Sequence, residues 1–116
     1  MDLRGLALVL LIVTSSAAGD EVSLFFMSEK GLLQKCRNAK SDGILETECL
    51  GYIMGVADVF SRSKRICIPL STSRQELHET VLTFLEHQEQ TGMIKDGGDI
   101  AEHSVESSLV AKFPCR

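Results

Sequence analysis

The feature that most constrains this chain is a set of four cysteines that all follow an N-terminal segment typical of a secretory signal. The cysteines are Cys36, Cys49, Cys67 and Cys115. Secreted proteins form disulfides because their compartment is oxidising. A small domain buries too little apolar surface to be comfortably stable, so covalent links are common in it. We therefore expect one small domain held by two disulfides.

The N-terminal segment has the three parts of a signal peptide. Arg4 precedes an apolar run over residues 5–13, and small residues follow as far as Gly19. The run is too short to span a bilayer. The sequence thus predicts a signal peptide over residues 1–19 and a single domain over residues 20–116. Since no second apolar run follows, we expect no membrane association after cleavage.

Charge argues against a nucleic-acid partner. The formal net charge is −4, and acidic and basic residues are interspersed along the chain. Binding to nucleic acid requires clustered Lys and Arg that neutralise phosphates. No such cluster is present in this sequence.

Apolar periodicity predicts helices almost throughout. Hydrophobic residues recur at helical spacing, and turn residues separate the segments at Ser41-Asp42-Gly43 and at the glycine-rich stretch 90–99. Thr72 with Gln75, or Ser73 with Glu76, forms a capping box at the start of the third helix. The predicted fold is a small all-α, four-helix, disulfide-stapled domain, with helices over about 22–39, 45–65, from 72 or 73 to about 89, and 100–113.

The second predicted helix carries two glycines one turn apart. Gly51 and Gly55 leave bare backbone on one face, which lets another helix approach closely at a cost of about 1 kcal/mol per glycine in helix propensity. We interpret the pair as a packing device of the scaffold, together with Tyr52, Asp58 and Pro69. The predicted apolar stripe of this helix is Tyr52, Val56, Val59 and Phe60.

Helix geometry favours one of the three possible disulfide pairings. If one helix separates Cys49 from Cys67, their α-carbons lie roughly 27 Å apart, against about 5.5 Å in a disulfide. Cys36 and Cys49 instead flank the reversal at residues 41–43 and should face each other. Cys67 then pairs with Cys115.

Residues suited to catalysis or metal binding are scarce. His78, His87 and His103 have no metal-ligand spacing, and we expect them to be surface residues without a role. No Cys-x-x-Cys pair, nucleophile elbow or phosphate-binding glycine loop occurs. The sequence therefore predicts no enzyme, no cofactor and no metal site.

A series of short motifs resembles a known family. The series consists of Cys49-Leu50-Gly51-Tyr52-Ile53-Met54-Gly55-Val56-Ala57-Asp58, Cys67-Ile68-Pro69, Thr72 with Gln75, Phe84-Leu85 with His87, and Phe113-Pro114-Cys115. In this order the motifs are similar to those of the Rap/Tai immunity proteins, which protect bacteria against peptidoglycan amidases delivered by type VI secretion. The resemblance covers about residues 32–115.

The resemblance implies a function without catalysis. It implies a periplasmic, mostly helical, disulfide-bonded homodimer that binds a peptidoglycan amidase effector and blocks its catalytic cleft.

The chain departs from the family pattern after His87, where the segment before the last helix is longer than expected. Apolar Met93 and Ile94 lie there between glycines, an arrangement suited to insertion into a cleft. The predicted effector-binding loop comprises Gln90, Thr91, Gly92, Met93, Ile94, Lys95, Asp96, Gly97, Gly98 and Asp99. The alternative is a connector whose Met93 and Ile94 fold back onto the core.

A second class of function stays open at this stage. Small helical disulfide-bonded periplasmic domains also act as acid-stress or general client-binding chaperones. Selectivity separates the two classes, because an immunity protein binds one enzyme tightly and a chaperone binds many clients weakly.

Overall fold

Four helices form the domain in a computed structural model that describes residues 26–45, 47–94 and 98–116. Each helix contacts the other three. The described ranges contain no strand, only one isolated antiparallel bridge between Ser28 and Ile100. The predicted all-α, four-helix fold is confirmed. The helices are α1 (Glu29–Asp42), α2 (Glu48–Arg62), α3 (Arg74–Gln90) and α4 (Ala101–Lys112).

Serine side chains start two of the helices. The Ser28 hydroxyl accepts a hydrogen bond from the Gly31 amide (3.0 Å) at the start of α1. The Ser73 hydroxyl accepts one from the Glu76 amide (3.1 Å) at the start of α3. Each bond satisfies an amide that has no partner within its helix. Of the two capping boxes predicted for α3, the structure uses the serine of the second.

The first helix begins later than predicted. It starts at Glu29 because Ser28 has extended backbone and caps it, whereas the sequence predicted a start near Val22. Phe26 is fully exposed, and Met27 packs into the core. Residues 22–25 and the predicted signal peptide over 1–19 lie outside the described residues. At its other end α1 runs through Asp42 and stops at Gly43, whose φ of 70° favours glycine.

The face of α2 that enters the core overlaps the predicted stripe only in part. Its buried residues are Cys49, Leu50, Ile53 and Ala57. Tyr52, Val56 and Phe60 of the predicted stripe are half-buried and pack against this core, whereas Val59 is about half exposed. The buried face includes Cys49, which is held against α1 by its disulfide. The described helices include none with the length and apolar character that a membrane span requires.

The two disulfides join Cys36 to Cys49 and Cys67 to Cys115, as helix geometry predicted. The first links the middle of α1 to the start of α2. The second ties the segment after α2 to the C-terminus, where the Cys67 amide also donates to the Phe113 carbonyl (2.9 Å). Its 48-residue separation corresponds to about 4 kcal/mol of stabilisation in the loop-entropy account.

Candidate functional site

The predicted effector-binding loop corresponds to the end of α3 and the connection from α3 to α4. Gln90 is the last residue of α3, and residues 91–94, 98 and 99 are described as non-helical. Lys95, Asp96 and Gly97 lie outside the described residues. The segment from 91 to 100 is called the α3–α4 connection below.

The first part of the connection is fixed to the end of α3. The Thr91 hydroxyl donates to the His87 carbonyl (2.9 Å), and the Met93 amide donates to the Gln88 carbonyl (2.8 Å). Gly92 has a φ of 74°, which permits the turn between them. These bonds satisfy carbonyls that the end of a helix leaves without partners. The chain therefore leaves α3 in a defined direction.

The last part of the connection is fixed by a buried carboxylate. Glu29 of α1 is only 4% exposed. Its Oε1 accepts a hydrogen bond from the Asp99 amide (2.8 Å), and its Oε2 accepts one from the Ser104 hydroxyl of α4. The Glu29 amide donates in turn to the Asp99 carbonyl (2.8 Å). This group, Glu29 with Asp99 and Ser104, is called the Glu29 anchor.

Gly98 makes the anchor possible by its lack of a side chain. A Cβ at this position would lie 2.8 Å from both Cβ and Oε1 of Glu29, and 3.2 Å from Cγ2 of Ile94. The φ of 77° is also one that other residues rarely adopt. Glycine therefore permits both the backbone conformation and the close approach to Glu29.

An exposed ion pair lies beside the anchor. Asp99 Oδ2 is 3.1 Å from Nδ1 of His103, one turn into α4. The hydrogen bond to His103 lowers the pKa of the Asp99 carboxyl, with a further contribution from the Ile100 amide. The same bond to Asp99 raises the pKa of the His103 imidazole. The charged forms of both groups are favoured at the start of α4.

The two apolar residues of the connection have different environments. Met93 is 63% exposed, whereas Ile94 is half-buried and packs against the core. Ile94 therefore folds back onto the core, as the alternative interpretation predicted for both residues. Met93 instead stays exposed to solvent. Met93 also borders a shallow cleft between α3 and α4, with Phe84, Gln88 and Ser107 on its walls.

The predicted scaffold glycines do not pack against any of the described residues. Gly51 and Gly55 are exposed, and a Cβ on either would meet no side chain or neighbouring backbone within 4 Å. Asp58 and Pro69 are exposed as well. The interpretation of Gly51 and Gly55 as an internal packing device is therefore wrong. Their face of α2 forms the wall of an apolar groove.

His78 was expected on the surface and is buried instead, with 3% exposure. One imidazole nitrogen and the sulfurs of Cys36 and Cys49 lie within 4.8 Å of one another. The two sulfurs are bonded to each other, so neither is a thiolate that could bind a metal ion. His78 therefore packs against the first disulfide. The histidine side chain that forms a hydrogen bond with the connection is that of His103.

Sequence reasoning missed Glu29 and Ser104. A glutamate in the first turn of a helix is ordinary, because it interacts favourably with the helix dipole. Nothing local distinguishes Glu29 from such a residue, and its partners lie 70 and 75 positions away.

A four-helix, disulfide-linked scaffold thus presents a connection whose two ends are fixed. A family model described as Rap1a immunity proteins matches residues 28–115. The chain therefore belongs to the Rap1a family of immunity proteins, as the motifs predicted. Membership implies that it binds a partner effector, and immunity proteins in general act by binding rather than by catalysis. Neither a curated protein nor a solved structure matches the chain significantly.

Proposed function

We propose that this protein is a periplasmic, homodimeric immunity protein that inhibits a type VI secretion peptidoglycan amidase by inserting the α3–α4 connection into its catalytic cleft. The observation that carries the proposal is the exposure of Met93 next to two fixed ends of the connection. Membership in the Rap1a family supports an effector protein as the class of partner.

The fixed ends support insertion for an energetic reason. A flexible loop loses conformational entropy when it binds, and this loss reduces affinity. Bonds from Met93 to α3 and from Asp99 to Glu29 restrict the connection before the effector arrives. Methionine is enriched in protein interfaces, and a few side chains that fill pockets of the partner supply most of the binding energy.

The test compares two exposed apolar residues on different surfaces. Met93→Asp changes the connection, and Leu70→Asp changes a fully exposed leucine between α2 and α3. The mature oxidised protein and both variants are mixed with candidate type VI amidases, and complex formation and peptidoglycan hydrolysis are measured. We expect Met93→Asp to weaken inhibition at least about 30-fold and Leu70→Asp to leave it unchanged.

Equal inhibition by Met93→Asp and the wild type, with unchanged circular dichroism, would contradict insertion of this segment. Failure of the wild-type protein to bind any amidase, with binding of unfolded clients at low pH, would favour a chaperone. Replacing both Lys95 and Asp96 by Ala extends the test to the middle of the connection.

A further inference from the structure

An apolar groove runs along the exposed side of α2. It is lined by Gly51, Gly55, Tyr52, Val56, Val59, Phe60 and, from α4, Glu102. Val59 is 51% exposed, and both glycines border open space. The pKa of the Tyr52 hydroxyl is raised, first by its burial at this groove and then by the charge of Glu102. Contiguous exposed apolar surface of this kind marks an interaction site.

A single stripe of α2 borders this groove and has an unusual symmetry. At 100° per residue, Glu48, Gly51, Gly55, Val59 and Arg62 lie within about 40° of one line along the helix. Gly55 is at the centre, with Gly51 and Val59 four residues to either side and Glu48 and Arg62 seven residues to either side. All five residues are exposed. These five residues are called the α2 face.

The symmetry makes the α2 face complementary to itself. Suppose that two copies of α2 cross in antiparallel orientation at Gly55. A residue a given number of positions before Gly55 in one copy then lies opposite the residue the same number of positions after Gly55 in the other. Val59 of each copy then meets the bare backbone at Gly51 of the other, which is the fit of a ridge into a groove. Glu48 of each copy meets Arg62 of the other, so opposite charges are paired at both ends.

Local contacts leave these charges accessible. Glu48 contacts Lys35 at 2.7 Å, but the Glu48 side chain is 66% exposed, so a second cation can approach it. Arg62, on the other side of Gly55, is exposed as well. A parallel crossing would instead place Glu48 beside Glu48 and Arg62 beside Arg62, which repels.

We infer that the α2 face is a homodimer interface at which two copies of this chain cross antiparallel at Gly55. The inference rests on the homodimer that is part of the proposed function, and it names the surface of that dimer. It does not depend on the effector or on the α3–α4 connection. Glycine at positions 51 and 55 is then explained by a partner helix, since no neighbour among the described residues explains it.

Charge reversal with rescue tests the inference. The association of the mature oxidised protein is measured by sedimentation velocity over a range of concentrations. We expect Glu48→Lys and Arg62→Glu each to raise the dimer dissociation constant at least about tenfold, because like charges then face each other. The double variant restores opposite pairs, and we expect it to return to within about threefold of the wild type. Arg37→Glu, which breaks an exposed ion pair between α1 and α3, is the matched control and should have no effect.

A steric variant gives a second readout. Gly55→Leu fills the crossing point without straining this chain, because the position borders open space. We expect a folded monomer by circular dichroism and sedimentation. Folded, dimeric Gly55→Leu would overturn the inference and leave the homodimer on another surface. A wild type that stays monomeric up to about 1 mM would overturn both the inference and the proposed homodimer.

Other occupants of the groove give distinct results. If the wild type is monomeric and a chain beginning at Phe26 binds a hydrophobic dye that the longer chain does not, residues 20–25 cover the α2 face, and the inference is wrong. If Glu48→Lys weakens amidase binding while the protein stays dimeric, the effector occupies this face, and the inference is again wrong. Loss of inhibition by Met93→Asp in an intact dimer concerns the proposed function alone.

Discussion

The α3–α4 connection and the α2 face both contain glycines, but the surrounding structure uses them in opposite ways. Gly98 of the connection lies against Glu29 with no room for a Cβ, whereas Gly51 and Gly55 of α2 border open space. Polar bonds fix the connection within the chain, and the α2 face has an apolar groove and no such anchor. The ends of the connection are thus held by contacts with other parts of the same chain. The α2 face is instead suited to contact with a second chain.

The largest expected effect concerns the Glu29 anchor. Glu29→Ala removes the acceptor of the Asp99 amide and of the Ser104 hydroxyl. Since buried polar groups without partners are costly, we expect a loss of about 3 kcal/mol in the free energy of unfolding, measured by urea denaturation. Glu79→Ala, which replaces an exposed glutamate within α3, is the control and should cost less than about 0.5 kcal/mol. A loss below about 1 kcal/mol for Glu29→Ala would mean that the anchor contributes little to stability.

The next effect separates close packing from backbone conformation within the connection. Gly98→Ala introduces a Cβ 2.8 Å from Glu29 and also strains a positive φ, so we expect a loss of about 2–3 kcal/mol in the free energy of unfolding. Gly92→Ala has a similar φ of 74° but open space around the Cβ, and it should cost only about 1 kcal/mol. Equal losses in the free energy of unfolding for the two variants would show that the Glu29 side chain shifts to make room for the new Cβ without a cost in stability.

The same substitution in α2 should have the opposite sign. Gly51→Ala and Gly55→Ala add a methyl group in open space to a helix interior. Higher helix propensity should raise the free energy of unfolding by about 0.5–1 kcal/mol each, measured at concentrations where the protein is monomeric. Gly55→Ala should at the same time weaken the dimer. Destabilisation of the monomer would show that the glycines matter within the chain, and the contrast with Gly98 would fail.

The contrast also explains what the sequence could predict. Helical periodicity, Ser73 as a cap and the spacing of the four cysteines are local signals, and they predicted the helices and disulfides. The centre of the buried face of α2 could not be predicted in this way, because apolar residues extend around the helix from Leu50 and Ile53 in the core to the half-exposed Val59. The motif around Gly51 and Gly55 predicted close packing of another helix, but none of the described residues packs against either glycine.

The candidate site was predictable only in part, for a related reason. Glycines around Met93 indicated a non-helical segment, which the described residues confirm on both sides of positions 95–97. The Glu29 anchor depends on contacts across 70 or more positions, and no local pattern encodes them. Which of Met93 and Ile94 is exposed depends on the path of the backbone between the end of α3 and the Glu29 anchor. The sequence does not encode this path locally, so both alternatives stayed open.

The smallest expected effect is the pH dependence of the Asp99–His103 pair. The folded state lowers the pKa of Asp99 from its ordinary 3.8 and raises that of His103 from its ordinary 6.5. The contribution of Asp99 is therefore complete above pH 3.8 and is lost as the pH falls through its lowered pKa. The contribution of His103 is complete below pH 6.5 and is lost as the pH rises through its raised pKa. The pair thus stabilises the start of α4 fully between these two ordinary values.

NMR titration of the His103 ring measures this effect directly. Because the hydrogen bond that His103 donates to Asp99 is the largest cause of the raised pKa, Asp99→Asn should return the pKa of His103 towards 6.5. Glu102→Gln should lower it less, since Glu102 acts only through its charge. Both side chains of the pair are exposed, so salt should shrink the shift as well. A larger drop in the pKa of His103 in Glu102→Gln than in Asp99→Asn would mean that the negative charges of α4, and not the hydrogen bond to Asp99, mainly keep His103 protonated. The connection would then be held by Glu29 without help from this pair.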